Sequence, residues 1–261
     1  VTDYRPKIPL RVYSADNVLI GEFGEEKRSF TPISQVPQIM KNALLAAEDE
    51  RFYRHGGVDY IGVLRAMIGN LISGHSQSGA STITMQVARN FYLSNEKTFS
   101  RKFNEALLSF KIEHNLSKDQ ILELYINQIY LGQRAYGFAA AAQTYFGKDV
   151  SQLDLSECAM LAGIPRSPNY YSPLNNLAAA KQRKTDVLEQ MEKYNYINEE
   201  QVTQASNEEL KLSSGKKTDD DNVASYFVDY VTQTLIDKYG ADKVYKEGLK
   251  IYTTLDMSAQ R

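Results

Sequence analysis

Two glutamates stand in local sequences that suit acid–base chemistry. Glu48 comes four residues after Leu44 and lies over the apolar stripe of a predicted helix, near its C-terminal end. Partial burial and the negative end of the helix dipole both raise the pKa of a carboxyl group toward the range of a general base. The same residues also fit an exposed acidic helix end, in which Glu50 and Arg54 pair at a spacing of four. Periodicity alone favours this second interpretation.

The second glutamate, Glu105, follows a cluster of positive charges. Arg101 and Lys102 lie one turn before it, and Arg89 and Lys97 come slightly earlier in the chain. Cations beside an acid suit a reaction in which a pyrophosphate group leaves, because they stabilise its charge. The alternative is a set of surface ion pairs, each worth about 0.2–0.5 kcal/mol.

A glycine-led helix start lies between these two regions. Gly79 precedes it, and Ser81 and Thr82 supply hydroxyl groups just before an apolar run. The free N–H groups of such a helix start, together with the hydroxyls, would bind an anion. Ordinary capping of the helix by Ser81 or Thr82 explains the same residues.

The composition excludes several classes of protein. The 261 residues carry 30 Lys+Arg and 32 Asp+Glu, and a net charge of −2 gives no overall attraction to nucleic acid. The single cysteine, Cys158, excludes an internal disulfide framework, and we expect it to be a small buried residue. His55, His75 and His114 have no paired-ligand spacing for zinc. The uncharged stretch 66–88 has a polar, glycine-broken middle that does not suit a membrane span.

Helices are predicted to position these residues. A β-hairpin with strands over residues 10–14 and 18–23 comes first, and Pro37 then begins the helix that ends near Glu48. Apolar spacing, a capping box at Ser117–Gln120 and helix breakers predict the later helices. These cover about residues 59–72, 81–91, 99–110, 117–132, 135–146, 155–164, 177–194, a short segment after 198, and 223–239. A strand over residues 249–255 ends the pattern.

Four segments, in this order, resemble the successive motifs of glycosyltransferase family 51, the peptidoglycan glycosyltransferase domain of class A penicillin-binding proteins. They are EDERFYRHGG (48–57), GASTITMQ (79–86), RKFNE (101–105) and KDQILELYINQIYLG (118–132). The similarity covers about residues 11–191. It implies a mainly α, lysozyme-like glycosyltransferase lobe with a short N-terminal β-hairpin and a C-terminal helix–strand fragment of a linker region.

The resemblance also implies a domain organisation. Residues 1–30 are expected to be a β segment that follows a membrane anchor, and residues 31–212 to be the glycosyltransferase domain. Residues 213–222, SSGKKTDDDN, are expected to form a mobile polar loop. Residues 223–261 are expected to begin the linker to a transpeptidase domain.

The implied activity is polymerisation of lipid II into β-1,4 glycan strands, with inversion at the donor carbon and release of undecaprenyl pyrophosphate. Glu48 matches the family's general base, and Glu105 matches the second glutamate, which stabilises or positions the pyrophosphate end of the donor. Met85 stands where the family usually has glutamine. Lys97 stands where some members of the family have arginine. The matching substrate-binding positions are Asp49, Phe52, His55, Gly79, Ser81, Thr82, Gln86, Arg89, Lys97, Arg101 and Lys102.

The resemblance implies no organic cofactor and leaves a divalent cation, Mg²⁺ or Mn²⁺, open. The implied partners are lipid II, the growing glycan strand, the membrane surface and other cell-wall synthesis proteins, with no nucleic acid. The implied location is the outer face of the cytoplasmic membrane. Apolar residues within 61–72 face either lipid or the core.

Three other functions compete with this one as interpretations of the sequence. A lysozyme-like hydrolase also uses carboxylates but has no need of the cation cluster. A non-catalytic glycan-binding module has no need of both Glu48 and Glu105. A penicillin-binding transpeptidase needs an S-x-x-K motif, which occurs only as Ser213–Lys216 in a polar loop without a K-T-G partner.

Overall fold

The computed structural model describes residues 10–17, 19–23, 27–28, 30–64, 81–89, 99–213, 225–239 and 249–256. Helices dominate these ranges, which confirms the mainly α prediction. The helices are α1 Gln38–Glu48, α2 Ile83–Arg89, α3 Phe99–Asn115, α4 Lys118–Gln128, α5 Phe138–Phe146, α6 Leu155–Gly163, α7 Pro168–Tyr171, α8 Leu177–Lys193, α9 Glu199–Asn207 and α10 Ser225–Tyr239. The strands are β1 Leu10–Tyr13, β2 Leu19–Phe23, β3 Lys27–Arg28, β4 Ala135–Tyr136 and β5 Lys250–Tyr252.

Side-chain caps explain why several helices begin where the sequence predicts. The Ser117 hydroxyl accepts the N–H of Gln120, and the Gln120 side chain accepts the N–H of Ser117, so the predicted capping box opens α4. Asn176 caps α8 and Asn198 caps α9 in the same way, through side-chain oxygens. The bounds of α8 and α9 therefore agree with the predictions closely.

The predictions around Gly132 and Ala135 are wrong in part. α4 ends at Gln128, before Gly132, and Gly132 adopts a positive φ of 78° in the turn that follows. Ala135 then lies in strand β4, which pairs in parallel with β3, and helix α5 begins only at Phe138. Gly137 separates strand from helix with a φ of 84°, where a Cβ would meet the Asn127 carbonyl oxygen at 2.8 Å. Backbone conformations that favour glycine thus occupy the end of one predicted helix and the start of the next.

The main core surrounds α6. Its residues from Ser156 to Gly163 are all buried, and the helix packs against α1 and α8. Cys158 is fully buried there, as expected, and its surroundings raise the pKa of its thiol. The short helix α2 packs against α3 and α4. The site residues are carried by α1, α2 and α3.

The two ends of the chain share a second, smaller cluster. β1 pairs antiparallel with β2, with Asn17 at a φ of 63° in the connecting turn, which confirms the hairpin. β1 also pairs in parallel with β5, about 240 residues later (Val12 opposite Ile251). Buried Leu10 and Val12 pack there against apolar side chains of α10 and of the segment around β5. Sequence analysis predicted both pieces but not their pairing, which no local signal encodes.

None of the helices in the described ranges has both the length and the apolar composition that a bilayer crossing requires. Residues 214–222 of the predicted polar loop and residues 65–72 of the predicted second helix lie outside the described residues.

The cap of α4 gives a first prediction. Ser117→Ala removes the side-chain acceptor for the Gln120 N–H, so the free energy of unfolding should fall by about 1 kcal/mol. Ser117→Asp keeps an acceptor at the same place and should cost much less. Urea unfolding of both variants checks this, and an equal loss in the two would show that the cap does not stabilise α4.

Candidate active site

Glu48 is the last residue of α1. The helix begins after Pro37, buries Met40, Ala43 and Leu44, and ends because the backbone of the next residue, Asp49, leaves the helical region. Glu48 is half-buried at this C-terminal end, as its position over the apolar stripe predicts. The alternative, an exposed helix end with a Glu50–Arg54 pair, is wrong because residue 50 lies beyond the helix.

The protein environment of Glu48 stabilises its protonated carboxyl group more than water would. Burial raises the pKa of the Glu48 carboxyl above its ordinary value. The hydrogen bond from Gln86 Nε2 to Glu48 Oε2, at 3.0 Å, and the positive charges of Arg183 and Arg166 oppose this rise without cancelling it. A carboxylate with a raised pKa is a stronger base than an ordinary one, so this geometry suits proton abstraction.

Asp49 joins the end of α1 to the start of α2. Its buried carboxylate accepts the backbone N–H of Ile83 at 3.0 Å and lies 2.9 Å from His55 Nε2 through each oxygen. His55 Nδ1 accepts the Gly57 N–H at 3.3 Å, so the hydrogen-bond pattern assigns the ring proton to Nε2. Asp49 and His55 therefore position the residues around them.

The start of α2 holds an anion, but that anion is a side chain of the protein itself. The Ile83 N–H is bound by Asp49, and the Met85 N–H is bound by the Thr82 hydroxyl at 3.1 Å. Thr82 is buried and donates its own proton to the Gly57 carbonyl at 2.6 Å. Thr82 thus caps the helix, and the N–H groups of Ile83 and Met85 are not open to an external anion. Binding of an anion beside Ser81 stays a prediction.

Glu105, on α3, has no exposed surface. Arg89 Nε lies 3.1 Å from Glu105 Oε1, and Lys102 Nζ lies 3.4 Å from Oε2. Glu105 thus pairs with Lys102, as the alternative also predicts, but this is not a surface ion pair, because the carboxylate is buried. The Arg89 and Lys102 side chains are themselves 46% and 43% exposed, so both remain accessible to a charged ligand.

One face of α2 connects the two glutamates. Gln86 and Arg89 are three residues apart and therefore lie on the same side of the helix. Gln86 binds Glu48, and Arg89 binds Glu105. Ser81, just before the helix, accepts a hydrogen bond from Lys102. The structure thus brings together the six predicted site residues Glu48, Ser81, Gln86, Arg89, Lys102 and Glu105.

Three residues that were predicted to bind substrate lie inside the protein. Phe52 is fully buried, with Lys118 Nζ 4.4 Å from its ring centre, so it packs and cannot touch a ligand. Asp49 and Thr82 are buried and use their polar atoms within the fold, as described above. Their role is to position the other site residues. The prediction that these three side chains contact a substrate directly is therefore wrong. Gly79, Lys97 and the side chain of Arg101 lie outside the described residues.

Sequence analysis missed two neighbours of Glu48. Tyr125 is buried, and its hydroxyl reaches Gln86 Oε1 at 3.5 Å. Arg183 is buried on α8, and a Cβ on Gly163 would meet its Cγ at 2.6 Å. One signal was present: Arg183 interrupts the apolar stripe that Ala180 and Val187 continue.

Two carboxylates of the site already have partners inside the protein. Asp49 is bound by His55 and a backbone N–H, and Glu105 lies between two cations. Across the described ranges, no three His, Cys, Asp or Glu residues cluster as ligands.

The chain is similar to known proteins over nearly its whole length. The model of a family described as Transglycosylase matches residues 16–192. Penicillin-binding protein 1A from Neisseria lactamica is 56% identical over 258 residues, which are 99% of this chain and 32% of that protein. Penicillin-binding protein 1A from Pseudomonas aeruginosa is 46% identical over 254 residues, 97% of this chain and 31% of that protein.

A solved structure is similar too. The crystal structure of penicillin-binding protein 1A from Haemophilus influenzae superposes with a TM-score of 0.54 at 28% identity, covering 98% of this chain and 28% of that one. The chain thus spans about a third of the length of the curated relatives it matches.

The burial of Glu105 gives a second prediction. Arg89→Leu leaves a buried carboxylate with one fewer cation, so the free energy of unfolding should fall by about 1–3 kcal/mol. Adding Glu105→Gln removes the stranded charge and should restore part of the loss. Arg54→Leu, at an exposed arginine, is the matched control and should change stability by less than about 0.5 kcal/mol. Additive losses in the double variant, measured by denaturant unfolding, would show that the two residues do not interact.

Proposed function

The chain belongs to the transglycosylase family, and we propose that it is a peptidoglycan glycosyltransferase that polymerises lipid II into β-1,4 glycan strands. The observation that carries this proposal is the face of α2. There, Gln86 binds a carboxylate with a raised pKa, and Arg89 helps to form a pair of accessible cations. A base and a pair of cations, connected through one short helix, are the groups that this glycosyl transfer needs.

The reaction follows from the chemistry of the donor. Its anomeric carbon carries an α-pyrophosphate, which is a good leaving group, so the reaction needs a base and positive charge more than a strong acid. Glu48 takes the proton from the 4-hydroxyl of the acceptor sugar while that oxygen attacks the anomeric carbon. The bond to the pyrophosphate breaks as the new bond forms, so the centre inverts to a β-1,4 linkage.

The pyrophosphate leaves against positive charge. Arg89 and Lys102 are partly exposed, and their charges stabilise the developing anion. Glu105 holds the two cations in place, because it is buried and contacts both of them. Arg101 and Lys97 match further cationic positions of the family, and we propose that they add to this charge.

The setting of the reaction belongs to the same proposal. Lipid II carries a polyprenyl tail, so we place the reaction at the outer face of the cytoplasmic membrane, with the membrane surface and the growing strand as partners. We assign residues 31–212 to the glycosyltransferase domain, and the family match over residues 16–192 supports that assignment.

Incubation with labelled lipid II tests the function directly. We expect glycan polymer on a gel, and we expect that preformed strands are not shortened. Strand shortening without polymer would instead establish a hydrolase, and acylation by a fluorescent penicillin would indicate a transpeptidase. Adding a chelator to the assay tests whether a divalent cation is needed.

The role of Glu48 gives a third prediction. Glu48→Gln is nearly isosteric and removes only the base, so polymerisation should fall by about 10²–10⁴-fold while the unfolding temperature stays unchanged. Glu50→Gln, two residues away and outside the helix, is the matched control and should keep the wild-type rate. A Glu48→Gln variant with more than about a tenth of the wild-type rate would remove Glu48 from the mechanism.

The pH dependence gives a fourth prediction. Glu48 acts only when deprotonated, so kcat/KM should fall on the acid side with a midpoint above about 4.3, the ordinary value for Glu. Arg166 is exposed, and its charge lowers the pKa of Glu48, so Arg166→Gln should move this midpoint to higher pH. Arg166→Lys keeps the charge and should leave the midpoint nearly in place. Equal movement in both variants would contradict the electrostatic account.

A further inference from the structure

We propose that Tyr125 is a positioning residue that orients the Gln86 amide and thereby determines which oxygen of Glu48 takes the acceptor's proton. This inference rests on the proposed function, since it concerns the base of that reaction. Tyr125 lies on α4, is almost completely buried, and touches neither sugar nor pyrophosphate in the mechanism above. It acts through Gln86.

The contacts define a chain of donors and acceptors. The Tyr125 hydroxyl donates to Gln86 Oε1 at 3.5 Å, and Gln86 Nε2 donates to Glu48 Oε2 at 3.0 Å. An amide has one accepting and one donating end, so a donor at Oε1 directs the NH₂ group toward Glu48. If the amide turned over, its oxygen would face the carboxylate and its NH₂ group would face the hydroxyl, and the carboxylate would lose its donor.

The orientation of the amide has a consequence for proton transfer. Glu48 Oε2 is engaged by Gln86, whereas Oε1 has no hydrogen-bond donor within the described residues. The acceptor hydroxyl needs a carboxylate oxygen that is open to it, so it approaches Oε1, and the proton moves there. The Gln86 bond persists after the transfer, because the neutral acid still accepts at Oε2.

The electrostatic surroundings keep Tyr125 a donor. Burial and the negative charge of Glu48 raise the pKa of Tyr125 well above its ordinary value, and Asp49 adds to this rise. Arg89 lowers it by less. The phenol therefore stays protonated throughout the working range of the base.

Other elements also bring charge to Glu48. Arg166, in the turn after α6, and Arg183, on α8, lower its pKa, and the neighbouring Asp49 raises it. The contribution assigned to Tyr125 is separate from these charges, because it acts through the direction of one hydrogen bond.

Tyr145 is a matched control. It is another fully buried tyrosine, on α5, and its hydroxyl donates to the Leu131 carbonyl at 2.6 Å and contacts Ser172 Oγ at 2.9 Å. Tyr145→Phe removes a buried hydroxyl just as Tyr125→Phe does, but it removes no contact to Gln86. A loss of stability caused by the missing hydroxyl should therefore appear in both variants. A change in the pKa of Glu48 should appear only in Tyr125→Phe.

The experiment is a double-mutant cycle with lipid II as substrate. Tyr125→Phe should lower kcat by about 3- to 10-fold with KM unchanged, and should move the acid limb of the pH profile to higher pH, because Glu48 loses a donor to its charged form. In a Gln86→Leu background, Tyr125→Phe should cause no further loss of rate. Tyr145→Phe should leave the acid limb in place.

A measurement without substrate separates this inference from the proposed function. The pKa of Glu48 can be followed by ¹³C NMR of labelled glutamate, with Glu48→Gln identifying the signal, and should rise in Tyr125→Phe but not in Tyr145→Phe. That result in a chain that does not polymerise lipid II would overturn the proposed function and support the link between Tyr125 and Glu48. An unchanged Glu48 pKa in Tyr125→Phe, or equal losses of rate with and without Gln86, would overturn the inference.

Discussion

The buried carboxylate of Asp49 makes the contacts on which the rest of the site depends. It binds the first N–H of α2 and the ring of His55, and it directly follows Glu48 in the chain. The direction of α2 is therefore fixed relative to the end of α1. A seven-residue helix has little stability of its own, so its position has to come from such tertiary contacts. Thr82, bound to the Gly57 carbonyl, adds a second one.

The two glutamates need opposite surroundings, and α2 supplies both. Glu48 has to stay a strong base, so it is half-buried with a neutral amide as its partner, and burial outweighs the more distant arginines. Glu105 holds cations, and it is fully buried with Arg89 and Lys102 as its partners. One turn of a single helix, from Gln86 to Arg89, separates a neutral partner from a charged one. The base and the leaving-group site are thereby kept at a fixed spacing.

Sequence reasoning could predict what local signals encode. The capping box at Ser117, the stripe that ends at Glu48 and the order of the motifs predicted most of the helices and the six site residues that the structure brings together. Sequence reasoning could not predict the pairing of β1 with β5, because no local pattern specifies a partner about 240 residues away. The same limit applies to Asp49 and Thr82. Their residue types fit ligand binding and capping equally well, and only the tertiary structure shows that their polar atoms are used inside the fold.

We expect acceptor and leaving group to bind on the same face of α2, one turn apart, beside Gln86 and Arg89. A crystal structure of the Glu48→Gln variant with a short-chain lipid II analogue tests it most directly. The account predicts the acceptor's 4-hydroxyl within about 3.2 Å of the substituted side chain, and pyrophosphate oxygens on Arg89 and Lys102. A pyrophosphate bound away from both cations, or a 4-hydroxyl out of reach of residue 48, would contradict it.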